Sequence, residues 1–195
     1  MLQLNLATSY KERGFSTLEL VIVIILISLL IVIALDRLLS LRVDAERVSV
    51  EQIAGTIRSA MGINVAATVA NEGGLQNISR LHRSNPMNLL AETPGTYLGE
   101  LDNPDPEKIQ AGSWYYNKTN RMLVYRVINS GYLETKLKGP ARIRFQLRLV
   151  FTDNNRNRRY EAGKDDIHGL RLKAVEPYAW KKHEDLDDPG KAKTS

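Results

Sequence analysis

The chain of 195 residues contains no cysteine, and it contains no proline before Pro86. Without cysteine, disulfides, thiol catalysis, thiolate metal sites and iron–sulfur clusters are excluded. The three histidines, His82, His168 and His183, are scattered without the spacing of metal ligands. The sequence has no serine nucleophile elbow, no phosphate-binding loop and no zinc-protease motif. We therefore expect a protein that is not an enzyme and that has no resident cofactor.

Composition is ordinary for a folded protein, but the apolar residues are unevenly distributed. The net charge of +5 is too small to indicate nucleic-acid binding by itself. A length of 195 residues accommodates one ordinary domain and one further element. Nearly all the uninterrupted apolar sequence lies near the N-terminus, so the further element is expected there.

Residues 15–36 are predicted to form a membrane-spanning helix. From Leu20 to Leu35 there is no charged residue, proline or glycine, and about 20 apolar residues suffice to cross a bilayer. The β-branched residues do not indicate a strand here, because backbone groups in lipid must pair within the segment. Lys11 and Arg13 precede the segment, which predicts a cytoplasmic N-terminus and a translocated C-terminal part.

Two simpler interpretations are a secretory signal peptide and a plain single-span anchor. A signal peptide has a shorter apolar region and a small-residue cleavage site, which the end of this run lacks. Glu19 speaks against both interpretations, because a carboxylate near the start of a span is costly unless it has a partner. Cleavage after Gly14 would make Phe15 the first residue and place Glu19 one helical turn from the new amino group.

The segment Gly14-Phe15-Ser16-Thr17-Leu18-Glu19-Leu20 follows a short basic leader and precedes an unbroken apolar run. In this arrangement it resembles the processing signature of type IV pilins and type II secretion pseudopilins. The resemblance implies that residues 1–14 are a leader, removed after Gly14 by a prepilin peptidase. It also implies that Phe15 becomes an N-methylated N-terminus and that Glu19 serves methylation or docks one subunit to the next.

The same resemblance implies where the protein works and with which partners. It implies a single-pass protein of the bacterial inner membrane, with the leader in the cytoplasm and the head in the periplasm, that later enters a filament. The implied partners are other pilin subunits, the peptidase and an inner-membrane assembly platform. Many members carry a proline where this chain has Asp36, so the usual melting of the helix at that point is not expected.

The helix is expected to continue beyond the membrane as an amphipathic half over residues 37–62. Apolar residues recur there at helical spacing and need a covering surface: Leu39, Val43, Val50, Ile53, Ala54, Ile57, Ala60 and Met61. Either Gly62 or the Asn71–Gly74 cluster is expected to end it. The division predicted for the remainder is a head over residues 63–182 and a disordered tail over residues 183–195.

The head is expected to hold a small antiparallel sheet after an irregular connector over residues 75–112. Residues 113–116 and 122–127 form a hairpin pattern. Arg142–Phe151 alternates apolar and polar residues, as a strand with one buried face does, and residues 170–175 suggest a fourth strand. The predicted fold is therefore α+β, a pilin-like lollipop in which the long helix packs on the sheet.

Three head segments narrow the resemblance to minor pilins of the mannose-sensitive haemagglutinin type. These segments are residues 85–91, 94–100 and 112–116. Many major pilins close a C-terminal loop with a disulfide, which this cysteine-free chain cannot form. The sequence therefore favours a minor pilin or pseudopilin, and it does not distinguish a pilus from a secretion filament.

Two further sites are hypotheses from residue type alone. A loop of oxygen-bearing side chains suits Ca²⁺, although arginines interrupt it and no glycine or acid stands at the usual places: Asp153, Asn155, Asn157, Glu161 and Asp165. Asx turns are the simpler explanation of this loop. The second site is a basic stripe of Arg142, Arg144 and Arg148 that could contact a polyanion. It supports an alternative function, a filament-tip module for adhesion or DNA capture.

Overall fold

The computed structural model describes residues 16–71 and 74–181. The chain divides into two units, residues up to Leu41 and residues from Arg42 onward. One helix, α1 (Thr17–Asn71), begins in the first unit and ends in the second. The predicted cleavage site at Gly14 and Phe15 and the predicted tail over residues 183–195 lie outside the described residues.

In the first unit, α1 starts at a capped turn and continues without interruption. The Ser16 hydroxyl accepts a hydrogen bond from the Leu18 N–H at 3.3 Å, which satisfies one of the unpaired donors at the helix start. Within the apolar run, the Ser28 hydroxyl donates to the Ile24 carbonyl at 2.7 Å. This bond keeps the hydroxyl satisfied without water. The helix predicted over residues 15–36 is confirmed from Thr17 onward.

In the second unit, α1 buries one stripe of side chains at intervals of three and four residues: Val43, Glu46, Val50, Ala54, Ile57 and Met61. The helix continues through Gly62 and ends at Asn71. The boundary predicted at residue 62 is therefore wrong, and the Asn71–Gly74 cluster is the correct end. A helical glycine costs about 1 kcal/mol. Buried Met61 and the packing of Val65 on the core outweigh that cost.

Between residues 74 and 181, seven strands follow the helix. They are β1 (Tyr97–Leu101), β2 (Trp114–Asn117), β3 (Met122–Arg126), β4 (Leu133–Thr135), β5 (Arg142–Thr152), β6 (Asp166–Ala174) and β7 (Tyr178–Trp180). Five of them form one sheet in the order β1-β2-β3-β5-β6, and β4 pairs with β7 in a second sheet. Short 3-10 helices occupy Leu75–Leu81, Pro86–Leu89 and Ser130–Tyr132.

The five-stranded sheet is mixed, which corrects the antiparallel prediction. Strands β1 and β2 are parallel, with Tyr97 beside Trp114 and Leu101 beside Asn117. Parallel neighbours need a crossover of about a dozen residues, and residues 102–113 provide a connection of that length. The other three pairings of this sheet are antiparallel. The α+β class and the predicted β2–β3 hairpin are confirmed.

The core lies between α1 and one face of the five-stranded sheet. Ile57 from the helix and Trp114 and Phe145 from the sheet are buried in the same cluster. The rings of Trp114 and Phe145 stack with their centroids 5.9 Å apart. Because residues alternate along a strand, the polar residues of β5 and β6 lie on the face away from this core.

Candidate assembly site

Glu19 lies in the first turn of α1 among exposed apolar side chains. Its neighbours Leu18 and Leu20 are 69% and 53% exposed. The first turn of a helix favours a negative charge because of the helix dipole. Within residues 16–71 and 74–181, no basic side chain forms an ion pair with Glu19. The carboxylate is therefore available to a positive group from another molecule or from residues outside that part.

The segment Thr17–Leu35 exposes its apolar side chains on every side. It is 19 residues long and is apolar enough to cross a membrane. The segment Leu41–Ala70 is also long and apolar enough to do so. The second segment differs because Val50 and Ile57 are already buried against the sheet. Thr17–Leu35 is thus the segment that still needs an apolar environment, such as lipid or the apolar faces of other helices.

Glu46 forms a buried carboxylate clamp between α1 and the chain after β3. Its Oε1 accepts hydrogen bonds from the Tyr125 hydroxyl at 2.9 Å and from the Ile128 N–H at 2.7 Å. Its Oε2 accepts from the Asn129 N–H at 3.0 Å and from the Asn129 Nδ2 at 2.7 Å. Hydrogen bonds to a charged acceptor are stronger than neutral ones. The clamp therefore fixes the rotation of α1 about its own axis and its position along that axis relative to the sheet.

Sequence reasoning missed the clamp, although a signal was present. Glu46 is three residues after Val43 and four before Val50, so it occupies the buried stripe of the helix. A carboxylate in that position must find donors, because a buried unpaired charge is very costly. The donors lie 79 to 83 residues further along the chain, and no local pattern identifies them.

The clamp raises the pKa of Tyr125, first by burial and then through the negative charge and the hydrogen bond of Glu46. Burial also raises the pKa of Tyr115 and Tyr178 above the usual value of 10. Because these phenols ionise less readily in the folded head than in the unfolded chain, they stabilise the fold below pH 10. This stabilisation is lost as the pH rises above 10.

We expect the head to unfold as the pH rises beyond 10, with tyrosinate absorbance and loss of near-UV dichroism appearing together. Tyrosinate absorbance that develops in a folded head would contradict this expectation.

The three arginines predicted to form a basic stripe share one face of β5 but have different roles. Arg142 Nη1 donates to the carbonyls of Lys138 and Pro140 at 3.0 Å and 2.9 Å. Arg144 pairs with Glu176, whose Oε2 accepts from Arg144 Nε at 3.0 Å. Arg148 is exposed. Two of the three guanidinium groups are therefore engaged within the head, and polyanion binding stays a prediction.

The loop predicted to bind calcium is organised by hydrogen bonds of its own. Asp165 is buried and accepts from the Asn154 N–H at 3.0 Å and from the Glu161 N–H at 2.8 Å. Asp153 accepts from the Asn157 N–H at 3.2 Å, and the Asn155 amide donates to Glu161 at 2.7 Å. Among the described residues, no three acidic or histidine side chains are placed to hold a metal ion. Calcium binding stays a prediction, and Asx-type turns account for the loop geometry seen here.

Comparison of the chain with known proteins found no relative. No family model matches the chain, and neither the curated proteins nor the solved structures contain a match.

Proposed function

We propose that this chain is a minor pilin or pseudopilin, a structural subunit of a type IV pilus or of a type II secretion-like filament. The observation that carries the proposal is the first part of α1. Thr17–Leu35 is apolar on every side, and it holds Glu19, an acid without an ion-pair partner among the described residues, in its first turn. A plain membrane anchor needs the apolar segment, but it does not need an acidic residue such as Glu19 within it.

In this proposal the subunit is made as a precursor in the inner membrane, with its leader in the cytoplasm and its head in the periplasm. A prepilin peptidase removes residues 1–14 and leaves a methylated amino group on Phe15. An assembly platform then transfers the apolar helix from lipid into a bundle of identical or related helices. Lipid and a helix bundle are similarly apolar, so the transfer forfeits little hydrophobic free energy.

Glu19 would determine the register of this bundle. In a low-dielectric environment, its carboxylate is favourable only beside a compensating charge. The new α-amino group of a neighbouring subunit carries that charge at the same end of the helix. Pairing the two groups aligns adjacent helices and disfavours any stagger that leaves either charge alone in the apolar core.

The first test of the proposal is the state of the N-terminus. We expect the protein from its native membrane to begin at Phe15 and to carry one additional methyl group, as measured by intact mass and N-terminal sequencing. Gly14→Arg should leave the full-length precursor in the membrane, because a bulky charged side chain then replaces the glycine on which cleavage depends.

A matched control is Asn5→Arg, which adds the same charge within the leader but away from the cleaved bond. This variant should be processed like the natural chain. A natural chain that keeps Met1 would indicate a plain anchored domain, and one that begins near Asp36 would indicate a secreted domain. Either result would contradict the filament proposal.

A further inference from the structure

One edge of the five-stranded sheet is acidic. It consists of β1 and its flanking residues, and the segment 92–107 contains five acidic and no basic residues. All five acidic side chains are exposed: Glu92, Glu100, Asp102, Asp105 and Glu107. Asp102 pairs with Lys118 at 2.8 Å. Within the part of the chain that the structure describes, the other four form no ion pair.

The opposite end of the same sheet is basic. Residues 142–173 contain nine basic and four acidic residues. Arg148 on β5 lies directly opposite Arg171 on β6, and Lys173 lies opposite the neighbouring Gln146. We call Arg148, Arg171 and Lys173 the basic surface. All three are exposed, and none has an ion-pair partner among residues 16–71 and 74–181.

The basic surface is unfavourable in an isolated subunit. Like charges directly opposite each other on neighbouring strands destabilise a sheet, and Arg148 and Arg171 are such a pair. Burial lowers the pKa of nearby His82, and the positive charges of Arg83, Arg148 and Arg121 lower it further. A negatively charged partner on this surface would relieve the repulsion.

The acidic edge cannot neutralise the basic surface of its own subunit. Three to four strand spacings separate β1 from β5 and β6, which corresponds to roughly 14–19 Å. The Debye length at physiological ionic strength is about 8 Å, so ions in solution screen most of the attraction over this separation. Each charged region therefore remains available to another molecule.

We infer that the acidic edge of one copy contacts the basic surface of a second copy, so that heads join head to tail along a filament. A contact between two different surfaces of the same chain repeats without closing unless the rotation forms a ring. The inference rests on the proposed function, because the apolar part of α1 is what brings copies together. It adds a specific contact between heads.

A second copy fits the basic surface better than a nucleic acid does. Arg142 and Arg144 are already engaged within the head, and four acidic residues interrupt the neighbouring segment 153–166. A nucleic-acid surface is typically a patch or stripe of lysine and arginine clustered on one face. The acidic edge, in contrast, supplies a compact partner of opposite charge on every copy.

Carbodiimide cross-linking tests this contact directly, because it joins an amine to a carboxylate that lies beside it. Full-length protein would be prepared in two forms, unlabelled and ¹⁵N-labelled, and mixed in membranes or detergent. We expect mixed-isotope peptides that join Lys173 to a carboxylate of residues 92–107. Their yield should fall about fivefold or more when salt is raised to about 0.5 M, because screening weakens contacts between charged surfaces.

Charge reversal identifies the two sides of the contact. Arg148→Glu/Arg171→Glu should abolish the cross-link while leaving Lys173 in place. The matched control Lys136→Glu/Lys138→Glu makes the same change in net charge at exposed positions away from the basic surface and should retain the cross-link. Mixing the first variant with Glu92→Lys/Asp105→Lys/Glu107→Lys should restore coupling between copies through the introduced side chains.

Three outcomes would overturn the inference, and they separate it from the proposed function. Copies that cross-link through amine-specific reagents but never through Lys173 and residues 92–107 would leave the filament proposal intact and refute the head contact. Copies that do not associate at all would refute the head contact alone, because related subunits can occupy the neighbouring positions in a filament. Loss of double-stranded DNA binding in Arg148→Glu/Arg171→Glu, with the cross-link unchanged, would assign the basic surface to a nucleic acid.

Discussion

Glu19→Gln is expected to leave the protein in the membrane and to remove it from assembled filaments. In the proposed filament core, the carboxylate pairs with the amino group of a neighbouring subunit. Removing one partner of a buried charge pair costs about 3–5 kcal/mol, because the other charge is left uncompensated. Each 1.4 kcal/mol is a factor of ten in an equilibrium constant, so we expect a loss of filament incorporation on the order of 100-fold or more.

The measurement is the ratio of this protein in sheared filaments to that in membranes, by quantitative immunoblot. Glu51→Gln is the matched control, because Glu51 is an exposed glutamate of the same helix outside the apolar segment. It should assemble normally. The mass of the membrane-bound Glu19→Gln protein separates a defect in methylation from a defect in docking. Normal incorporation of Glu19→Gln would refute the assigned role of Glu19.

Glu46→Ala is expected to destabilise the head more than any exposed substitution does. The change leaves four donor groups of Tyr125, Ile128 and Asn129 without their acceptor. Losing a charged acceptor from the buried Tyr125 hydroxyl and from the partly buried hydrogen bonds of Ile128 and Asn129 costs about 3–4 kcal/mol in free energy of unfolding. For a chain of this size, we expect the melting temperature to fall by about 10 °C.

Thermal unfolding of the full-length protein in detergent, followed by near-UV dichroism of the buried aromatic residues, would measure the shift. Tyr125→Phe removes one of the four bonds and should cost about 1 kcal/mol. Asp44→Ala is the control, because Asp44 is exposed and forms only a surface ion pair with Arg47 at 3.6 Å, which is worth little. Equal melting temperatures for Glu46→Ala and Asp44→Ala would show that the clamp does not hold the helix.

Local periodicity was sufficient to predict much of the second unit. The alternation from Arg142 to Phe151 corresponds to β5, which is buried on one face at Ile143, Phe145 and Leu147. The hairpin pattern corresponds to β2 and β3 in register. Each feature depends on residues that are close in sequence, which is why the sequence alone reveals it.

Features that depend on distant residues were not predictable in the same way. Strand β1 is an edge strand with Gly99 at a φ of 90° in its middle, so its composition is not that of a typical strand. Its parallel pairing with β2 depends on the path of the connection. The donors of Glu46 become neighbours only when the sheet has formed. Glu19 could be proposed from the sequence because its signal, an acid within an apolar run, is entirely local.

The clamp at Glu46 also has a kinetic consequence. Its bonds close a chain segment of up to 83 residues. Closing such a segment costs loop entropy before the contacts that offset this cost have formed. Proteins dominated by contacts of this range fold slowly. The apolar stripe of α1 therefore stays uncovered until residue 129 has emerged and β3 has paired. While the chain is being synthesised and folded, this interval is the period in which the head is most exposed to aggregation and to proteases.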